Sequence, residues 1–194
     1  MKREHIYRIF SNMPKLETKR FTLRKMSIDG TDDMFEYSSR QDVTKYLTWS
    51  PHQNKSITFE YLSYLQSRYK TGDFFDWAII CRDTGKMIGS CGFTRFDFQN
   101  NAGEVGYVIN PEFSGKGIAT EVSARVIQYG FENLNLNRIE CRFMLENYAS
   151  RRIMEKNGMT FEGVRRRAML IKGEYRDIGV CSILKEEFFA QKSK

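Results

Sequence analysis

Two glycines in the stretch Asn110-Pro111-Glu112-Phe113-Ser114-Gly115-Lys116-Gly117-Ile118-Ala119-Thr120-Glu121 carry the spacing that most directly suggests chemistry. The stretch follows an alternating apolar segment, Glu104-Val105-Gly106-Tyr107-Val108-Ile109. It runs into a pattern in which Ile118, Val122, Val126 and Tyr129 recur at helical spacing. Strand, glycine loop and helix in that order let backbone N–H groups converge on one spot, and the helix N-terminus behind them adds roughly half a positive charge. An anion site is expected there, with phosphate as the anion. A P-loop would need GxxxxGK[ST], but Lys116 lies between the glycines. A GxGxxG dinucleotide fingerprint begins well at Gly115, with Glu140 about 20 residues on. Its sixth position is Thr120, however, and Glu140 falls inside the next apolar run. A tight turn without a ligand is the reading that the loop alone leaves open.

The elements around the loop must hold it in place. Leu16 to Arg24 alternates well enough for a first strand, entered at Pro14. Asp29 to Asp33 offers helix-start residues ahead of Met34, Phe35 and Tyr37, and Gln41 to Leu47 continues as a second short helix. Ser56 is placed to cap the next helix, which carries Leu62, Leu65 and Tyr69 and stops at Gly72. Phe74 to Cys81 and Lys86 to Phe98 read as strands joined by Asp83-Thr84-Gly85, and a third strand starts at Glu104. Past the loop helix come a strand over Arg138 to Phe143 and a short helix from Asn147 to Gly158. A closing hairpin, Phe161 to Ile171 and Tyr175 to Leu184, completes the order β-α-α-β-β-β-α-β-α-β-β. That order predicts an α+β fold, a mixed and mostly antiparallel twisted sheet with helices on both faces, its Glu104 and Arg138 strands joined by a right-handed parallel crossover.

Composition bounds the rest. With 194 residues, 41% of them hydrophobic and 28% charged, the chain is expected to form one domain over 1–194 with its core at about 14–189. Its 15 Phe and 10 Tyr suit β-rich packing. No apolar run reaches 18 residues and the N-terminal Met1 to His5 lacks a signal-peptide core, so a cytoplasmic protein with no membrane partner is expected. Cys81, Cys91, Cys141 and Cys181 stand singly, and His5 and His52 are the only histidines. Neither a metal site nor a disulfide framework is expected, and the four cysteines read as reduced core thiols. A net charge of +7 suits polyanions in general, whether nucleic acid, a ribosome or a phosphorylated cofactor.

Taken together, the glycine loop and the later Asn147-Tyr148-Ala149-Ser150 helix resemble the GNAT superfamily of acetyl-coenzyme A dependent N-acetyltransferases. The family's [QR]-x-x-G-x-[GA] loop falls on Ser114-Gly115-Lys116-Gly117-Ile118-Ala119, with its first position changed to Ser. Its N-x-x-[SA] and K-x-G-F segments fall on Asn147 to Ser150 and on Lys156-Asn157-Gly158-Met159, with Met for Phe. Leu16 to Arg24, Gly-Lys-Gly-Ile-Ala-Thr-Glu at the loop and the C-terminal Tyr175-Arg176-Asp177 are similar to the RimJ/RimL-like branch, the ribosomal-protein-alanine N-acetyltransferases.

The resemblance implies acetyl-CoA as cofactor and transfer of its acetyl group to a primary amine. The amides from Ser114, Gly115, Lys116 and Gly117 to Ile118, Ala119 and Thr120 would take the pyrophosphate. Ile109 and its strand would pair with the pantetheine arm, Asn147 would reach the same arm, and Lys116 and Lys156 would neutralise outer phosphates. It places Glu104 as the general base or the anchor of the incoming ammonium. The family's usual acid, a tyrosine seven residues after the helix-starting Asn, is Met154 here. Ser150, on the same helical face, is then the local hydroxyl for the departing thiolate. Trp49, Tyr107 and Tyr175 are the candidate acceptor contacts. A protein N-terminal amine is the favoured acceptor, since deprotonating it at neutral pH costs about 3.5 kcal/mol less than deprotonating lysine. A ribosomal protein is the implied source of that N-terminus. A small amine, or a non-catalytic module binding acyl-CoA or nucleic acid, is the alternative. Direct nucleic-acid binding is not expected, and the chain is expected to be a monomer or homodimer.

Overall fold

The computed structural model describes residues 1–192. Its elements are α1 (Arg3–Ser11), β1 (Leu16–Glu17), β2 (Phe21–Arg24), α2 (Thr31–Ser38), α3 (Gln41–Thr44), α4 (Lys55–Thr71), β3 (Phe75–Cys81), β4 (Met87–Asp97), β5 (Ala102–Ile109), α5 (Ile118–Glu132), β6 (Arg138–Met144), α6 (Tyr148–Lys156), β7 (Thr160–Ile171), β8 (Glu174–Leu184) and α7 (Lys185–Lys192). The strands form one sheet in the order β1-β2-β3-β4-β5-β6-β8-β7. Every neighbour pair is antiparallel except β5 and β6, which are parallel as the strand-helix-strand unit requires. The expected fold class is thus the observed one.

Several boundaries differ from expectation, each for a local reason. The N-terminal leader is the helix α1, because Ile6 and Phe10, one turn apart, are fully buried in the same cluster as the sheet. Phe10 meets Phe75 and Trp77 edge-on, with ring centroids 5.0 and 5.3 Å apart. The first strand is broken into the hairpin β1-β2, with Leu16 opposite Leu23. Asn54, not Ser56, caps α4, its Oδ1 accepting the Ile57 N–H. Gly72 does end that helix in a left-handed turn, where a Cβ would lie 1.8 Å from the Tyr7 carbonyl oxygen. β5 begins at Ala102, so Glu104 is its third residue. A bulge between Arg165 and Met169, with Arg167 at positive φ, interrupts the pairing of β7 with β8. The C-terminal residues form α7, whose Phe188 stacks 5.1 Å from Phe131 of α5.

The two faces of the sheet are dressed differently. Trp77 of β3 points to the face that carries Phe10 of α1 and Tyr129 of α5. The next-door residue Asp76 points to the opposite face, toward α2 and α4. β5 alternates in the same way: Val105 is buried on the α5 side, while Glu104 and Gly106 face the α2 and α4 side.

The sheet is split in the middle. β5 and β6 pair only at Ala102 with Arg138, Gly103 with Ile139 and Glu104 with Glu140. Beyond that apex, where the Cys141 thiol donates to the Val105 carbonyl at 3.0 Å, the strands diverge. β6 meanwhile keeps its full pairing with β8. Among the described residues, Val105 to Ile109 therefore present a backbone edge with no strand on that side.

Candidate active site

The divergence of β5 from β6 opens into a cleft of about 660 Å³. On one side it reaches Val105 to Val108, on the other Arg142, Phe143 and Met144, and α6 crosses it with Asn147, Ala149, Ser150, Ile153 and Met154. It continues beneath the loop after α3 to Tyr46, Trp49 and His52, and across the sheet to Asp76 and Ser90.

The glycine loop stands at the far end of the β5 edge, and its conformation follows from Asn110 before it and the two glycines within it. Asn110 is a fully buried polar hub. Its N–H donates to the Ile88 carbonyl at 2.8 Å, its Oδ1 accepts the Glu112 N–H at 3.1 Å, and its Nδ2 donates to Glu36 of α2 at 2.8 Å. Lys86 pairs with the same carboxylate, and these two contacts hold the Glu36 carboxyl below its usual range. Gly115 and Gly117 both take positive φ, 78° and 72°, and around a Cβ at Gly115 there is open space. Gly117 is the N-cap of α5 and offers no side chain to its N–H groups.

Arg20, in the turn just before β2, ties this loop down. Its guanidinium donates to Glu121 at 2.7 Å and to the Lys116 carbonyl at 2.9 Å, and its backbone N–H donates to Glu121 at 3.0 Å. Burial pushes the Glu121 carboxyl up, but hydrogen bonds from Thr18 and Arg20 outweigh it and the net shift is downward. The single acid in the first turn of α5 is therefore already neutralised by Arg20. What remains at that helix start is an uncapped set of N–H groups at buried Ile118 and half-buried Ala119 and Thr120, behind two exposed glycines. A diphosphate fits this cradle, and an extended amide-bearing arm fits the free β5 edge that ends at Ile109. Lys116, within the loop, and Lys156, at the end of α6, are both exposed, the former with its ammonium 5.9 Å from the Phe113 ring. Arg151 is not free for phosphate: it pairs with Glu155 at 2.8 Å and lies over Phe161.

Two hydroxyls meet in the centre of the cleft. Tyr107 Oη and Ser150 Oγ share a hydrogen bond of 2.8 Å. Ser150 is held by Asn147, whose Oδ1 accepts the Ser150 N–H at 3.1 Å and caps α6. Burial raises the Tyr107 phenol well above its ordinary range, and the bond to Ser150 works against that rise. Along α6, Met154 is buried, Ser150 and Ile153 are half-buried, and Ala149 is exposed, all four lining the cleft.

Glu104 occupies the opposite face at the apex. Arg95 donates to its Oε2 at 2.8 Å, and Arg142 Nε lies 3.1 Å from the same atom. The Arg142 N–H is not aligned with that oxygen, so the second contact is ionic rather than a hydrogen bond. Arg142 also lies 3.8 Å from Glu140, which Arg138 bridges to Glu162. Glu104 is thus the end of a charge ladder in which two guanidinium groups already balance it.

The expected acceptor residues divide. Trp49 and Tyr107 line the cleft, and Trp49 sits 5.4 Å from the His52 ring. Tyr175 does not: it is 59% exposed on β8 beneath Arg167, outside the cleft, because the hairpin turn carries it away from the β5 edge. The structure adds residues that the sequence pattern did not single out. His52 places Nδ1 within 2.8 Å of Thr58 Oγ1 and 3.1 Å of Ser38 Oγ, and burial depresses its basicity. Asp76 lies on the cleft floor with Ser90 beside it. Among the described residues no cluster of three or more His, Cys, Asp or Glu could hold a metal ion, and the four cysteines are free thiols.

A sheet splayed at a parallel pair, a glycine-capped helix facing that splay and a capped hydroxyl across it define an acyl-coenzyme A dependent transferase. The chain belongs to the GNAT acetyltransferases: the model of the "Acetyltransferase (GNAT) domain" matches residues 20–160. It is 35% identical over 176 residues to the uncharacterized N-acetyltransferase p20 of Bacillus licheniformis, covering 91% of this chain and 99% of that one. A GCN5-related N-acetyltransferase from Brucella melitensis superposes with a TM-score of 0.80 at 30% identity, covering 93% of this chain and 82% of that one. The fold is also that of the RimL ribosomal L7/L12 alpha-N-protein acetyltransferase in complex with coenzyme A, with a TM-score of 0.75 at 18% identity over 88% of this chain and 98% of that one. The protein is an N-acetyltransferase, and acetyl-CoA is its acyl donor. Among the described residues no helix is long and apolar enough to cross a membrane.

Proposed function

We infer that the protein transfers an acetyl group from acetyl-CoA to a primary amine that enters the cleft from the α2 and α4 side, with a protein N-terminal α-amine as the favoured acceptor. The observation that carries this reading is the arrangement of the two faces. The cradle and the Ser150–Tyr107 pair lie on the α5 and α6 side, Glu104 and Asp76 lie on the other, and the splay joins them. Bound acetyl-CoA supplies the thioester carbonyl that the amine attacks, leaving an amide and a free thiol. The uncapped start of α5 and the glycines hold its diphosphate, and the free β5 edge aligns its arm so that the donor meets the acceptor at the apex. The Ser150 hydroxyl, oriented by Asn147 and backed by the Tyr107 phenol, donates toward the departing sulfur, which needs only a weak acid. Tyr107 supplies from β5 the phenol that position 154 lacks. Glu104, already balanced by Arg95 and Arg142, positions the acceptor and passes its proton to cleft water. The RimL likeness and the net charge of +7 support an acceptor on a ribosomal protein.

The test is thiol release with acetyl-CoA against a panel of N-terminal peptides and small amines, alongside calorimetry of acetyl-CoA binding. Binding near micromolar with peptide-dependent thiol release is expected. Absence of acetyl-CoA binding defeats the reading, and turnover with small amines alone replaces its acceptor.

A further inference from the structure

Among the described residues, Asp76 is a carboxylate without an ionic partner, and it lines the cleft. Its residue keeps part of its surface toward the cleft, yet Oδ1 is closed off from solvent and has no hydrogen-bond partner. It sits in the middle of the apolar segment Phe-Phe-Asp-Trp-Ala-Ile-Ile, where a strand facing a helix layer ordinarily places a hydrophobic residue. The groups around it are hydroxyls and a thiol: Tyr37 of α2, Tyr61 and Tyr69 of α4, Ser90 and Cys91 of β4. The other cleft charges are matched. Arg68 pairs with Asp73 at 2.7 Å, and Glu104 with Arg95 at 2.8 Å and Arg142 at 3.1 Å. Among the described residues the cleft therefore carries one acid without a cationic partner, and ionising such a buried group is costly unless a cation joins it.

Its register tells where that cation must sit. Asp76 pairs with Gly92, and Gly92 with Gly106, so all three share one face. Gly92 keeps that face open, since a Cβ there would lie 2.3 Å from the Phe75 carbonyl oxygen and 2.8 Å from Asp76 Oδ1. Two strand spacings, roughly 10 Å, separate Asp76 from the β5 edge where the acetyl group is delivered. An ammonium hydrogen-bonded to Asp76 would thus lie roughly 7 Å short of that edge, too far to be the nitrogen that reacts.

We propose that Asp76 is the subsite for a second cationic group of the acceptor, so that the enzyme selects amines bearing another ammonium roughly 7 Å from the reactive nitrogen. This rests on the acetyl-transfer reading and sharpens its acceptor class. The second cation replaces the absent partner of a buried carboxylate, and the aromatic walls at Trp49 and Tyr61 enclose its carbon chain. A four-carbon diamine spans the gap, and so does an N-terminal residue followed by lysine.

The experiment compares matched pairs: 1,4-diaminobutane against n-butylamine, and an Ala-Lys peptide against an Ala-Leu peptide. Thiol release gives kcat/KM for each with the wild type and with Asp76→Asn. The wild type is expected to prefer the dication by at least tenfold in one pair, and that pair identifies the source of the cation. In Asp76→Asn the preference is expected to fall to about one, mainly through KM. A preference in neither pair, or one that survives Asp76→Asn, overturns the proposal. Calorimetric binding of 1,4-diaminobutane and of the Ala-Lys peptide to the coenzyme A complex separates the two levels of inference. Tight binding lost in Asp76→Asn, with no acetylation of any amine, would keep the subsite and defeat the transferase reading. Binding indifferent to Asp76→Asn with active turnover would do the reverse.

Discussion

The ionisation of Asp76 gives a stability prediction that needs no substrate. Burial raises its carboxyl from 3.8 to about 7, with the Ser90 hydroxyl and the Trp77 N–H acting in the other direction. The folded state therefore binds this proton more tightly than the unfolded chain, and stability falls as pH rises between the two values. Below about pH 4 the group is neutral in both states and costs nothing. Above about pH 7 it is ionised in both, and the full cost of the buried charge is present. A shift of about three units corresponds to about 4 kcal/mol, and roughly half of that remains once screening by cleft water is allowed for. Asp76→Asn keeps the shape and removes the charge. Its unfolding free energy relative to wild type should then climb by about 2–4 kcal/mol from pH 4 to pH 8, measured by urea denaturation at each pH. The flanking groups do not produce this trend, because Tyr37, Tyr61, Tyr69 and Cys91 all titrate above the range, each raised by burial. A difference between variant and wild type that stays flat across the interval would refute the argument that Asp76 is an unpaired buried acid.

Other substitutions read other parts of the site. Ser150→Ala and Tyr107→Phe should each lower kcat by about ten- to hundredfold with unchanged acetyl-CoA affinity, as steady-state rates and calorimetry together can show. Gly117→Ala forces a side chain into φ 72° at the N-cap of α5, and should cost about 1–2 kcal/mol of stability and weaken acetyl-CoA binding by about tenfold. Asn110→Ala removes two side-chain hydrogen bonds at a fully buried position. It should lower the unfolding free energy by about 1–3 kcal/mol in a thermal or urea melt. Glu104→Gln removes the carboxylate that balances Arg95 and, together with Glu140, Arg142 at the apex, and should reduce kcat/KM for every amine alike, in contrast to the selective effect of Asp76→Asn.

The features legible in the sequence are those written in local backbone chemistry. Gly115 and Gly117 announce positive φ, Gly72 and Gly158 end helices, and Asn147 caps α6, because each acts on its own neighbours within a few residues. The parallel β5–β6 crossover follows from strand, helix and strand in sequence. What depends on the approach of distant segments was not legible. The α1 segment is short and charged, with only Ile6 and Phe10 to betray it, and its partners Phe75 and Trp77 lie some sixty residues away. Ser56 and Asn54 both look like caps, and only the start of the helical turn decides between them. Tyr175 was expected near the acceptor, but the direction of a hairpin is set by sheet order, with β8 inserted between β6 and β7. Asp76 left one signal, an acid within an otherwise apolar strand. Its meaning needed the glycines at 92 and 106, which the fold alone aligns with it.

The sparse contact between β5 and β6 has a mechanical meaning. Three residue pairs and one thiol hydrogen bond join two half-sheets, while five residues of β5 lack a strand on that side. On the proposed binding mode the donor's arm would complete the missing rung, making the donor a structural member of the sheet as well. Occupancy at a hundred times Kd adds about 2.7 kcal/mol to the stability of the whole chain. The cell's acetyl-CoA level would then set the rigidity of the enzyme as well as its rate. Amide exchange at Val105 to Ile109 would serve as a gauge of it.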